Sequence, residues 1–403
     1  MEVKNLQIAI LVVGMGFLTL GFSILMPILP YYSKNLGASA FDLGMLMASY
    51  SIMQLIFTPF WGELSDRIGR KPIFLIGLFG YGISFIIYGI STQLWMLFAA
   101  RMTGGLLAGG IYPASLAYIA DVTDPQERGR VMGLLGAASG VGMIFGPVVS
   151  GVFSVWGLAA PFFITAAVSF IFGILGHILL KESRAVNVHR IARRKKVSLI
   201  APLRTPLGIL FIVSLLISFL ISSFQSTFAY YILGRFGLTE APGIMPVLDR
   251  SMALTGPGVM AMLFTVMGIA GVLCQGFLVG ESIDIFGEER TVIYGLAISS
   301  AGFLMVLLSG ELVMLMFSAC MIGVGTGLVT PCLNSIVSRE TGEEYQGVAL
   351  GVLGSYSAVG RVVGPPSSGL IYDINVDLPY VVSTLLSVAG ALVMWSLAKT
   401  SKR

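Results

Sequence analysis

The stretch GELSDRIGRKP (residues 62–72) sets five charges between two apolar runs, and a worn copy, GESIDIFGEER (280–290), returns 218 residues later. The offset persists well beyond the phrase. Gly62, Asp66 and Gly69 become Gly280, Asp284 and Gly287, and Gly77 becomes Gly295. Gly105 becomes Gly323, and Gly109 with Pro113 become Gly327 and Pro331. Then Gly129, Gly133, Gly136 and Gly142 become Gly347, Gly351, Gly354 and Gly360; Gly146-Pro147, Gly151 and Pro161 become Gly364-Pro365, Gly369 and Pro379. With 50 glycines in the chain a single match carries nothing. An ungapped run of about 100 residues that includes three proline matches marks two repeats in the same orientation.

The surroundings of the phrase decide what is repeated. Of 403 residues, 56% are hydrophobic and 11% charged, and the mean hydropathy is +0.90. Soluble domains carry about 25% charged residues. The apolar runs are continuous and reach the roughly 20 residues a helix needs to cross a hydrocarbon core, whereas a β-barrel would show short alternating segments. Twelve spans are expected, near 6–29, 43–62, 72–91, 93–120, 130–153, 158–180, 207–232, 257–280, 291–309, 312–338, 346–371 and 379–398. The expected fold is an all-α membrane protein of twelve transmembrane helices, built as two six-helix parallel repeats. Residues 1–180 form the first bundle, 181–206 a basic linker and 207–403 the second bundle. Transporters use such repeats, with the site at the midplane between them.

The loops orient the chain. With both termini cytoplasmic, 19 of the 24 Lys and Arg lie inside, three outside (Lys34, Arg235, Arg250) and two within spans (Arg101, Arg361); this is the positive-inside bias. The net charge of +4 therefore requires no nucleic-acid partner. The cluster RIARRKK (190–196) reads either as a lipid-headgroup patch or as the ordinary basic linker of such proteins. Cys274, Cys320 and Cys332 lie in apolar spans without paired spacing, and His177 and His189 are only two. No metal site, disulfide framework, cofactor or enzyme chemistry is expected. The repeat breaks once: Tyr31-Tyr32 aligns with Tyr230-Tyr231 at an offset of 199, which adds 19 residues after span 7. That insert, 234–256, reads as a lid or as a tolerated surface loop.

These residues resemble the major facilitator superfamily, in its drug:proton antiporter branch with twelve spans. Gly62, Asp66, Arg67, Gly69, Arg70 and Lys71 match the loop motif G-x-x-x-D-R-x-G-R-[RK]. Arg101, Gly104, Gly105 and Gly109 match the span-4 motif, and Gly142, Gly146, Pro147 and Gly151 match the antiporter motif of span 5, with Ser150 replacing one glycine. The resemblance implies a conformational latch in which Asp66 faces the N-terminus of span 11 and Arg70 pairs with Asp121. It further implies a role for Arg101 in proton transfer. Gly62 and Gly69 are expected to make the turn between spans 2 and 3. The glycines of span 5 have two readings, tight packing or a face that hinges and slides against the other half.

Spans 1, 7 and 10 lack the interior carboxylate that many drug:proton antiporters carry, so Asp121 with Arg70, or Arg101, would have to handle protons. On the cavity-lining spans the candidates are Met15, Phe22, Met26, Tyr112, Phe224, Gln225, Phe228, Met321 and Asn334. Arg361 either bonds carbonyls freed near Pro365 and Pro366 or faces the cavity. A wall of Met and aromatic residues without acids fits neutral, amphipathic or anionic compounds better than dications. The expected function is export of amphipathic small molecules with proton antiport, by a monomer in the cell membrane. The alternative is a transporter of one lipid-like molecule or metabolite, uncoupled from protons.

Overall fold

The computed structural model describes residues 2–183, 207–248, 250–341 and 345–400. The RIARRKK cluster and Asp249 lie outside the described residues. Among those described, twelve helices are long and apolar enough to cross a membrane. Spans 1 to 6 are Asn5–Asn35, Ala40–Ile68, Arg70–Gly89, Leu94–Val122, Gln126–Trp156 and Ala160–Leu179. Spans 7 to 12 are Leu207–Phe236, Gly256–Phe286, Glu288–Leu308, Leu312–Glu340, Gln346–Ile374 and Leu378–Lys399. Large apolar side chains such as Phe277, Ile178 and Ile374 are mostly exposed, as helices solvated by lipid tails require.

Span 2 runs through the charged phrase to Ile68 and span 3 begins at Arg70, so Gly69 alone separates them. This corrects the expectation of a turn at Gly62, which is helical and has open space where a Cβ would sit. The phrase stays helical because its charges pair along the helix: Arg67 donates to Glu63 one turn back, a favourable i, i+4 arrangement. Gly69, at φ +106°, makes the turn by itself, and its copy Gly287 does the same at φ +82°.

Two other spans are interrupted. Span 4 consists of Leu94–Ala108 and Ile111–Val122. Pro113 cannot donate to the Gly109 carbonyl, and the Thr58 hydroxyl reaches that oxygen at 3.3 Å instead. Span 8 passes through a π turn at Cys274–Leu278. The insert after span 7 is a hairpin, with β1 (Gly243–Val247) and β2 (Arg250–Leu254) antiparallel and Val247 opposite Arg250. The insert reads in the sequence only as a lid or a surface loop, and Pro246, which brings no ladder donor, pairs with Ser251 within the hairpin. Leu248 turns the corner at φ +53° and donates its N–H to Glu311 at 3.0 Å.

The chain packs as two units. One takes the residues up to 38 and from 49 to the end of span 6; the other takes residues 39–48 and spans 7 to 12. The expected boundary placed 39–48 with the first bundle. They group with the second because glycines allow close approach: Gly44 lies against the Pro365 carbonyl, and Gly369 against Ala40. Within each unit the repeat is visible as packing. Gly105 of span 4 meets the Tyr50 carbonyl of span 2, and its equivalent Gly323 of span 10 meets the Met267 carbonyl of span 8. The cores are aromatic. Tyr81, Phe85, Tyr88 and Phe162 cluster in the first unit, and Phe224, Phe228, Phe303 and Tyr380 in the second.

Candidate functional site

At the junction of spans 2 and 3 the one-residue break aims the N-terminus of span 3 at a carboxylate. Glu182, just past span 6, accepts from the backbone N–H of Arg70 at 2.8 Å and of Lys71 at 3.2 Å. It satisfies donors that the first turn of a helix leaves unpaired, and its charge suits the positive end of the helix dipole. A side chain on Gly69 would collide with this carboxylate. Glu182 is not legible as a cap in the sequence, because nothing in the run KES at 181–183 points to a helix over a hundred residues earlier.

The Arg70 guanidinium, 9% exposed, is gripped from both sides. Its Nη1 lies 2.7 Å from Asp66 Oδ1 and 3.2 Å from Ser65 Oγ, and its Nε 3.3 Å from Asp121 Oδ2. Ser183 Oγ donates to the same Asp121 oxygen at 3.1 Å. Lys71 does not join this cluster; its Nζ donates to the His177 carbonyl at 2.7 Å, and Arg67 is occupied by Glu63. Asp66 is 54% exposed and Asp121 28%, so the cluster is a buried cation held by carboxylates that water can reach.

The copy answers the change of sign. Adding the offset of 218 to Arg70 and Asp121 gives Glu288 and Arg339, and these two form an ion pair, with Ser335 also donating to Glu288. Charge has been exchanged across the bridge while the bridge remains. In the sequence Arg339 reads by itself only as one more basic residue on the cytoplasmic side. The signal was available, since the offset that pairs the glycines also pairs these side chains.

The span-5 glycines meet span 1 of the same unit. A side chain on Gly142 would strike the Gly16 carbonyl and Thr19, and one on Gly146 would strike Ser23. Thr19 donates to the Ser139 carbonyl at 3.0 Å and Ser23 to the Met143 carbonyl at 2.8 Å. Met143 is the residue four before Pro147, so Ser23 supplies the hydrogen bond that proline withholds. Gly151 lies a turn further on, where its carbonyl accepts from Ser154 at 2.9 Å. Span 11 rests on span 7 in the same way: Gly364 sits over Phe219 and Ser222, and Ser223 donates to its carbonyl at 3.0 Å.

Arg101 is 1% exposed, deep in the first unit, with its Cζ 5.7 Å from the centroid of the Tyr50 ring. The cavity candidates divide. Met15, Met26, Phe224, Gln225 and Phe228 are buried, and both phenylalanines belong to the aromatic core of the second unit. Phe22 and Met321 are partly exposed; Tyr112, Asn334 and Arg361 are exposed. Among the described residues no group of His, Cys, Asp and Glu is placed to hold a metal ion, and Cys274, Cys320 and Cys332 are free thiols.

Comparisons with known proteins bear on the whole chain. It is 29% identical over 378 residues to multidrug resistance protein 2 of Bacillus subtilis (strain 168), covering 92% of this chain and 90% of that protein. It is 25% identical over 391 residues to the quinolone resistance protein NorA of Staphylococcus aureus (strain COL), covering 97% and 96%. The fold superposes on the crystal structure of the nucleoside transporter NupG with a TM-score of 0.81 at 13% identity, covering 97% of this chain and 99% of that one. The family model described as Major Facilitator Superfamily matches residues 11–270 and 242–403. Twelve membrane-spanning helices, duplicated motifs and matches along nearly the entire length make this chain a member of the Major Facilitator Superfamily, and thus a multi-pass membrane transporter.

Proposed function

We propose that this transporter exports amphipathic small molecules by alternating access and exchanges them for protons. The observation that carries the reading is the Arg70 cluster: a buried guanidinium shared by Asp66 and Asp121 at a one-residue break between two spans. Such a cluster has two stable arrangements if one carboxylate can leave, and Asp66, the more exposed partner, is the one that can. Protonating Asp121 would leave Arg70 to Asp66 alone, so the same residues supply a route for coupling. Relatives that bear the names of multidrug and quinolone resistance proteins over nearly the full chain support the substrate class. Of the cavity candidates, Tyr112, Asn334 and Arg361, with Phe22 and Met321, have side-chain surface to offer. The excess of basic residues in alternate loops, 19 against three, supports cytoplasmic termini.

A second reading, uncoupled transport of one lipid-like molecule or metabolite, is favoured by the lack of an interior carboxylate in spans 1, 7 and 10. Proteoliposomes separate the two. Export of an amphipathic dye should accelerate under an imposed pH gradient, and Asp121→Asn should abolish the acceleration while insertion is unaffected. Asp66→Asn should slow export with or without the gradient. Flux that ignores the gradient in the unmodified protein would discard proton exchange in favour of the second reading.

A further inference from the structure

The duplicated junctions are filled differently. In the first half the space ahead of span 3 holds the Glu182 carboxylate, which a side chain on Gly69 would strike. In the second half no side chain caps the N-terminus of span 9, and a side chain on the equivalent Gly287 would meet nothing within 4 Å. The offset of 218 that carries Lys181 to Lys399 carries Glu182 to Thr400, so the second copy has lost the carboxylate. Gly287 instead borders an open cavity of about 540 Å³, within the roughly 300–1,000 Å³ of sites for small ligands.

The cavity sits where four spans end. Phe286 closes span 8, Glu288 opens span 9, Arg339 is in the last turn of span 10 and Lys399 in the last turn of span 12. It therefore lies at the level of lipid headgroups. Its apolar wall is Phe286 and Trp395, 43% and 52% exposed, and aromatic residues at span ends belong to the membrane interface. Its charged wall is unbalanced. Glu288 is neutralised by Arg339, which leaves Glu289 against both Arg290 and Lys399, so one positive charge is left over. Lys399 is held with its Nζ 3.6 Å from the centroid of the Trp395 ring, and Arg290 has no side-chain partner among the described residues.

We propose that this cavity binds a singly charged phosphate ester, supplied as the phosphodiester of an anionic lipid such as phosphatidylglycerol in the adjoining leaflet. Arg290 and Lys399 take the phosphate oxygens, and the acyl chains leave past Phe286 and Trp395. Charge selects this lipid over a zwitterionic one, whose own cation would leave the surplus of the wall uncompensated. The aromatic side of the cavity selects a lipid over a free phosphate, which has nothing to lay against it. Basic pockets between span ends are suited to such headgroups. The site lies wholly within the second unit and holds whether or not protons drive transport.

Thermal unfolding of the purified, delipidated full-length protein in detergent tests this, with one lipid added at a time. Dioleoylphosphatidylglycerol should raise the midpoint saturably, by on the order of 3 °C at a hundredfold excess over Kd. Dioleoylphosphatidylcholine and dioleoylphosphatidylethanolamine should not, nor should glycerophosphoglycerol, the same diester without acyl chains. Arg290→Gln with Lys399→Gln should fold and weaken the apparent affinity about tenfold. Should the pair fail to fold, Arg290→Gln alone decides, since Arg290 is exposed. Arg130→Gln with Lys181→Gln removes the same charge from the first unit and should leave the response intact. A zwitterionic lipid that matches phosphatidylglycerol overturns the proposal, as does a response that survives loss of Arg290 and Lys399. Equal weakening in the Arg130 and Lys181 variant would reduce the effect to general attraction, and a shift reproduced by glycerophosphoglycerol would assign the cavity to a soluble phosphate ester; either overturns the lipid site.

Discussion

Gly69 and Gly62 show how little a motif says about the work of each of its residues. Both belong to one phrase, yet Gly69 sits at φ +106° and Gly62 inside a helix with open space where a Cβ would sit. Gly69→Ala forces a side chain into backbone that essentially only glycine adopts, at roughly 1–3 kcal/mol, and also drives Glu182 from the end of span 3. Gly62→Ala should be neutral or stabilising by up to about 1 kcal/mol, because alanine is the better helix former. Thermal unfolding of the two variants checks this, and indistinguishable midpoints would refute the assignment. The sequence offered both glycines as turn residues. Only the course of the backbone separates them, since helix propensity is too weak to say whether the charged run after Trp61 stays wound.

At the scale of helices, close packing is paired with hydrogen bonds that repair proline. Ser23 serves the Met143 carbonyl that Pro147 abandons, and Thr58 serves Gly109 ahead of Pro113. Ser23→Ala should therefore cost about 1 kcal/mol, within the range measured for hydrogen bonds between membrane helices. In a Pro147→Ala background the loss should shrink, because alanine restores the N–H donor to the same carbonyl. A double-mutant cycle on unfolding midpoints reads the coupling, and additive effects would refute the repair. The glycine spacing in span 5 was legible as small-residue packing. Its partner was not, because GAASGVGMIFGPVVSG fits any helix with a small-residue face, and the Thr19 and Ser23 donors lie 120 residues upstream.

For the whole molecule, duplication with exchanged charge is the informative feature. Arg70–Asp121 and Glu288–Arg339 occupy equivalent places in the two halves with opposite polarity. Each bridge ties the start of the third span of its half to the far end of the fourth, so the constraint retained is attraction, not a particular sign. Arg339→Glu should lower the unfolding midpoint and slow transport by setting two carboxylates against each other. Adding Glu288→Arg, which gives the second half the polarity of the first, should recover most of both. If the double variant is no better than Arg339→Glu alone, the bridge is incidental.

Hydropathy and the 218-residue repeat determined twelve spans, two six-helix halves and the place of the charged junctions. Burial in lipid allows only helices for long apolar runs, and a duplicated pattern survives as shared backbone geometry. Tertiary structure alone decided which glycine turns, which carboxylate caps span 3, and that Arg101 is enclosed against the Tyr50 ring. It also decided what GELSDRIGRKP and GESIDIFGEER have in common. Arg70 and Glu288 are answered by Asp121 and Arg339, about fifty residues away in the chain, and Coulomb attraction depends on distance in space, which no local pattern encodes.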